Sequence, residues 1–167
     1  MIPRRRRADR RFAGLFLAVA LWHMGATPSP PQSAANPLRG AWRLNVGKTR
    51  YGASAERRRQ ETFVCDGPDE QLRCRIEGTR ADGRRLRGEF SAALDGEAGP
   101  VRGVADIDQV RLRFVAEGIV DATFSYRGTP LFGYRAYQSE DGKSLTVVSV
   151  APVSRVALTT SVVYDRQ

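Results

Sequence analysis

The chain has 167 residues, room for one domain with its own core and too few for two. Hydrophobic residues at 41% and charged residues at 27% are ordinary globular values and exclude wholesale disorder. The formal charge of +9 invites a nucleic-acid reading, but six arginines within residues 1–35, offset by Asp9 alone, supply most of it. The same stretch holds the only histidine, His23. Residues 36–167 contain no histidine, which excludes Ser-His-Asp and Cys-His catalysis there, and no zinc shell can be completed from two cysteines.

Residues 1–11 are arginine-rich, and Phe12 to Met24 is an apolar run of 13. A membrane-spanning helix needs about 20 apolar residues, so this run fits the hydrophobic region of a secretory signal. Positive charge ahead of it holds the terminus in the cytoplasm while the rest is exported. Small residues suited to cleavage stand at Ala26 and again at Ser33-Ala34-Ala35, the second with the better small-x-small pattern. The expected destination is periplasmic or extracellular. A membrane is expected as a partner only during export, or through an uncleaved signal anchor. Four prolines between Thr27 and Pro37 read as an extended linker. The expected division is residues 1–35 as signal peptide and linker, and 36–167 as the folded domain.

Beyond Pro37 apolar residues alternate with period two, the mark of half-buried strands. Trp42, Leu44 and Val46 share one face of a first strand. Phe63 and Cys65 lead through a turn at Asp66–Gln71 into Leu72, Cys74 and Ile76. Centred on Asp69-Glu70, that turn sets Cys65 opposite Cys74, a geometry that permits a disulfide in an oxidising compartment. Leu86, Gly88, Phe90, Ala92 and Leu94 follow, and Asp95-Gly96 then ends the strand in a loop that runs to Asp106 and contains Pro100. Val110, Leu112 and Phe114 alternate with polar neighbours, as do Val120, Ala122, Phe124 and Tyr126. Segments near Leu131–Tyr137 and Leu145–Ala151 are apolar on both faces, and Val156 to Tyr164 closes the series.

Ala81-Asp82-Gly83 and Glu140-Asp141-Gly142 suit three-residue hairpin loops. In the first, Arg80 pairs with Arg84, so Ile76 stands opposite Gly88 and Cys74 opposite Phe90, all on the inward face. About nine consecutive strands form an antiparallel meander, and its two exposed edges vanish if it closes into an up-and-down barrel. The expectation is an all-β barrel in which the sides bearing Trp42, Leu72, Phe90, Leu112 and Phe124 converge on a common axis.

Gly40-Ala41-Trp42, at the head of the first strand, resembles the Gly-x-Trp signature of lipocalins and related calycin barrels. The stretch from Gly40 to Tyr51 is similar to the opening of small secreted bacterial proteins that begin Gly-x-Trp-x-Leu-Asn. The resemblance implies a lipocalin-like fold in which the tryptophan closes one end of the barrel and a late arginine stacks on it. Arg155 and Arg166 are both candidates for that arginine. It also implies carriage of a small apolar molecule, such as a fatty acid, without chemistry and without a cofactor.

Phe90, Phe114, Phe124, Tyr126, Tyr134 and Tyr137 offer an aromatic lining for such a ligand. Arg135 lies among them and, if turned inward with Tyr137, would hold a carboxylate head group. The competing expectation is a packed barrel that binds acidic partners, anionic lipid head groups or polysaccharide, through Arg73, Arg75, Arg85, Arg87, Arg111 and Arg113 on outward positions. No aromatic side chains sit between these arginines to stack bases, so nucleic acid is not an expected partner. Catalysis is not expected either, because the aspartates of Asp82-Gly83, Asp95-Gly96 and Asp141-Gly142 are accounted for by turns.

Overall fold

Ten strands follow one another in the computed structural model, which describes residues 36–52, 55–150 and 160–167. They are β1 (Gly40–Leu44), β2 (Arg58–Asp66), β3 (Leu72–Arg80), β4 (Arg85–Ala92), β5 (Asp95–Arg102), β6 (Gln109–Ala116), β7 (Ile119–Tyr126), β8 (Thr129–Gln138), β9 (Ser144–Val150) and β10 (Ser161–Arg166). Each pairs antiparallel with its sequence neighbours, and β1 pairs with β10, so the meander closes into a barrel without a free edge. The expected signal segment, both cleavage sites and Arg155 lie outside the described residues. Among the described residues no helix is long and apolar enough to cross a membrane.

The register follows from the turns. Arg80 N–H donates to the Arg84 carbonyl at 2.9 Å and Asp82 accepts from the Arg84 N–H at 2.9 Å, which sets Cys74 opposite Phe90 and Ile76 opposite Gly88. Cys65 stands directly opposite Cys74 on the neighbouring strand and the two are bridged. A disulfide fits an oxidising, exported compartment. Closing so short a loop contributes about 2–3 kcal/mol. Trp42, Leu72, Leu112 and Phe90 are buried, and Phe124 packs against them half-buried, so the expected inner faces do share one interior.

Three boundaries differ from those the alternation suggests. Val46 is 52% exposed in a turn rather than on β1, because the Asn45 side chain accepts from the Lys48 N–H and turns the chain there. Asn36, Pro37 and Leu38 are buried rather than forming the end of a linker, with Asn36 donating to Asp69. The third difference is a whole strand. Asp95–Arg102, expected to be a loop, is β5, paired with β4 at Glu89↔Arg102 and Phe90↔Val101 and with β6 at four positions.

β5 escapes the periodicity because its one buried position is the backbone of Gly99, with Val101 alone as a partly buried large apolar side chain. A Cβ on Gly99 would lie 1.8 Å from the Ser91 carbonyl oxygen and 2.8 Å from the Ala92 Cβ, so only glycine lets β5 cross β4 this closely. Gly99→Ala is expected to force the two strands apart and destabilise the barrel by about 3 kcal/mol. Urea unfolding of the variant checks this, and a midpoint equal to that of the wild type would refute the close crossing.

Candidate functional site: an aromatic-walled cavity with a buried ion pair

Strand alternation sends Leu86, Phe90, Val120, Ala122, Phe124 and Phe132 to the interior, and their side chains line a cavity of about 460 Å³. That lies within the usual range for small-molecule sites, about 300–1,000 Å³. The wall is continuous in aromatic contacts. Tyr164 meets Phe63 at 6.2 Å between centroids, Phe63 meets Phe90 at 6.4 Å, and Phe90 meets Phe124 edge-on at 5.9 Å. Phe124 then stacks on Phe132 at 5.2 Å, and Phe132 meets Tyr134 at 5.3 Å. Val104 and Ile107 complete one side from the loop between β5 and β6.

A cluster of three polar side chains, Arg58, Glu61 and Tyr164, is set into this apolar wall, and Arg80, whose Nε is buried without a partner among the described residues, lines the cavity as well. Glu61 shares the inward face of β2 with Phe63 and Cys65, and its side chain is 1% exposed. Strict alternation from Glu61 would send Arg59 inward. A bulge between Arg58 and Gln60 shifts the register, and Arg58 takes the inner place while Arg59 is exposed. Arg58 Nη1 donates to Glu61 Oε1 at 2.8 Å and to the Tyr164 hydroxyl at 3.2 Å, and Tyr164 donates to the same Oε1. Glu61 Oε2 has no hydrogen-bond partner among the described residues. Glu56, half-exposed at the head of β2, lines the cavity too, so the cavity reaches solvent on that side.

Burial dominates the protonation of this cluster. It pushes the Glu61 carboxyl above the usual carboxylate range, and the attraction of Arg58 with the hydrogen bonds from Tyr164 and Arg58 offsets only part of that. Burial is the largest single influence on Arg58 and opposes its charge, but the Glu61 carboxylate together with Tyr164, Tyr134 and Tyr51 outweighs it, and the guanidinium stays charged. Tyr164 is raised well above the ordinary phenol value, first by burial and then by the charge of Glu61. Tyr134 is raised by burial.

No protein-family model, curated protein or solved structure matches this chain. The site therefore rests on its own geometry. Among the described residues no three His, Cys, Asp or Glu side chains converge on a point that would hold a metal ion.

Of the residues expected to bind a ligand, Phe90, Phe124 and Tyr134 line the cavity. Phe114 packs partly buried against the core without lining it. Tyr126 also stands apart from the lining, its ring covered by the Arg127 guanidinium at 5.0 Å. Arg135 and Tyr137 are on the outer surface, contrary to the inward orientation considered for them. Phe132, Tyr134 and Ala136 take the inner side of β8, so their alternate neighbours face out. Asp121, opposite Arg135 in the register, binds it at 2.6 and 2.8 Å, while Tyr137 is 39% exposed. Arg135 and Arg113 together hold the Asp121 carboxyl below its usual range, the Arg135 hydrogen bonds acting first and Arg113 adding to them.

Trp42 and Arg166 stand opposite one another where β1 meets β10. Trp42 is 0% exposed, its Nε1–H donates to the Leu38 carbonyl at 2.9 Å, and the Arg166 guanidinium lies 4.4 Å over its ring. Gly40 matters here because a Cβ at that position would lie 2.9 Å from Arg166 Nη1. The outward arginines Arg73, Arg75, Arg85, Arg87, Arg111 and Arg113 are all exposed. Acids interleave them, with Arg75 on Asp66 at 3.4 Å, Arg87 on Glu77 at 3.0 Å and Arg113 on Asp121 at 3.5 Å.

Alternation alone did not single out Arg58, Glu61, Phe132 or Tyr164. Glu61 carried a usable signal, since it stands two residues before Phe63 and four before Cys65 on one face. Arg58 carried none, because its orientation depends on the bulge.

Proposed function

We propose that the chain is an exported, lipocalin-like, non-enzymatic β-barrel that binds a small apolar ligand in its interior. The observation that carries this reading is the cavity of about 460 Å³ with its unbroken aromatic wall. A barrel of ten strands is wider than one of eight, and a wider interior is harder to fill with side chains alone. Gly40, Trp42 and Arg166 support the lipocalin-like comparison. The arginine-rich start, the apolar run after it and the Cys65–Cys74 bridge support export to the periplasm or beyond.

The competing reading, recognition of anionic lipid head groups or polysaccharide by the outer arginines, has weaker support. Asp66, Glu77 and Asp121 already neutralise three of those arginines.

Native mass spectrometry of the exported protein tests the carrier reading. The expected result is a co-purified small molecule that organic extraction removes and a fluorescent fatty-chain probe replaces. A protein that arrives empty and leaves the probe's fluorescence unchanged would refute it.

A further inference from the structure

Resting on the carrier reading, we infer that the ligand is an aliphatic alcohol, an apolar chain whose one polar group is a hydroxyl donating a hydrogen bond to Glu61 Oε2. The aromatic wall dictates the apolar body, and the polar cluster dictates the head. Arg58, Glu61 and Tyr164 are already joined through Glu61 Oε1, which leaves Oε2 as a buried acceptor beside open cavity. A buried carboxylate oxygen without a donor costs more than a neutral group would, so the site is incomplete as it stands.

Three head groups can be weighed against this geometry. A carboxylate would put a second anion beside Glu61, and Arg80, which also lines the cavity with an unpartnered Nε, is already paired with Glu56. An ammonium would meet Glu61 but place a second cation beside Arg58, which already neutralises that carboxylate. A hydroxyl is neutral, supplies the missing donor, and keeps lone pairs that can accept from the guanidinium. It therefore answers both charges without adding one. Burial pushes Glu61 towards its protonated form, and a ligand donor at Oε2 stabilises the ionised form instead.

The assignment also replaces the carboxylate anchor that an inward Arg135 would have supplied, since Arg135 is committed to Asp121 outside the barrel.

Binding of three probes of similar length tests the inference: dodecanol, its methyl ether and dodecanoate, at about pH 8, where free dodecanoate is ionised. The wild type is expected to bind dodecanol about tenfold more tightly than either of the others, the usual penalty for leaving one buried acceptor unpaired. Glu61→Gln keeps the shape, presents a donor where Oε2 was, and leaves Arg58 without its counter-charge. That variant is expected to lose the preference for the alcohol over the ether and to bind dodecanoate about tenfold more tightly than the wild type does. Equal binding of alcohol and ether by the wild type, or tighter binding of the acid, would overturn the inference even if the variant does not fold. Binding of all three without selectivity overturns this inference alone, whereas binding of none overturns the carrier reading with it.

Discussion

Trp42→Ala is expected to destabilise the barrel by about 3–5 kcal/mol, the range for removing a large, fully buried aromatic side chain. The ring is wholly buried, packs where β1 meets β2 and β10, and holds both the Leu38 carbonyl and the Arg166 guanidinium. Deleting it opens a cavity at the seam that closes the barrel. It also frees Arg166, which there donates to the Gly142 carbonyl at 2.7 Å and the Arg39 carbonyl at 3.3 Å. Trp42→Phe keeps most of the apolar volume but loses the indole donor and weakens the cation–π contact. Its expected cost is smaller, about 1–2 kcal/mol. Urea unfolding followed by far-UV circular dichroism measures both. If the two variants lose the same amount, the volume of the ring is not what holds the seam together.

Arg58→Met is expected to cost about 3–5 kcal/mol near neutral pH, because it strands the Glu61 carboxylate in the interior without its counter-charge. The long apolar side chain roughly preserves packing, so the loss reports charge more than volume. This loss depends on pH in a definite direction. Glu61 holds its proton more firmly in the folded barrel than in the unfolded chain. Its contribution to stability is therefore fully present below the unfolded value and is lost as pH rises through the raised folded one. Removing the Arg58 cation takes away the attraction that restrains this rise, so the folded value climbs further and the loss extends to higher pH. The deficit of Arg58→Met relative to the wild type is expected to be smaller at about pH 5 than at about pH 8. A deficit of equal size at both would mean that the two side chains do not form the buried pair.

Period-two alternation made most of the barrel legible because it is a local property. Arg80, Asp82 and Arg84 set the β3–β4 register within a few residues, and the pairing of Cys65 with Cys74 follows from one short turn. β5 was hidden for a physical reason. A strand that buries the backbone of Gly99, carries Pro100 and turns only Val101 inward as a large apolar side chain shows no alternation to reveal it. β8 is apolar on both sides, so nothing local could tell whether Arg135 faced the cavity or the solvent. The partner that decides it, Asp121, lies on another strand.

What this chain determined from residue order alone is the all-β class, the hairpin register around Gly83, the disulfide and the aromatic character of the interior. All of these depend on contacts between near neighbours or on composition. Only the closed barrel decided the rest. It selected Arg166 to cover Trp42 through the β1–β10 seam, and it turned Arg58 inward through a bulge. By bringing Glu61 and Tyr164 together across 103 residues it built the polar cluster, which arises from strand closure and not from any local pattern.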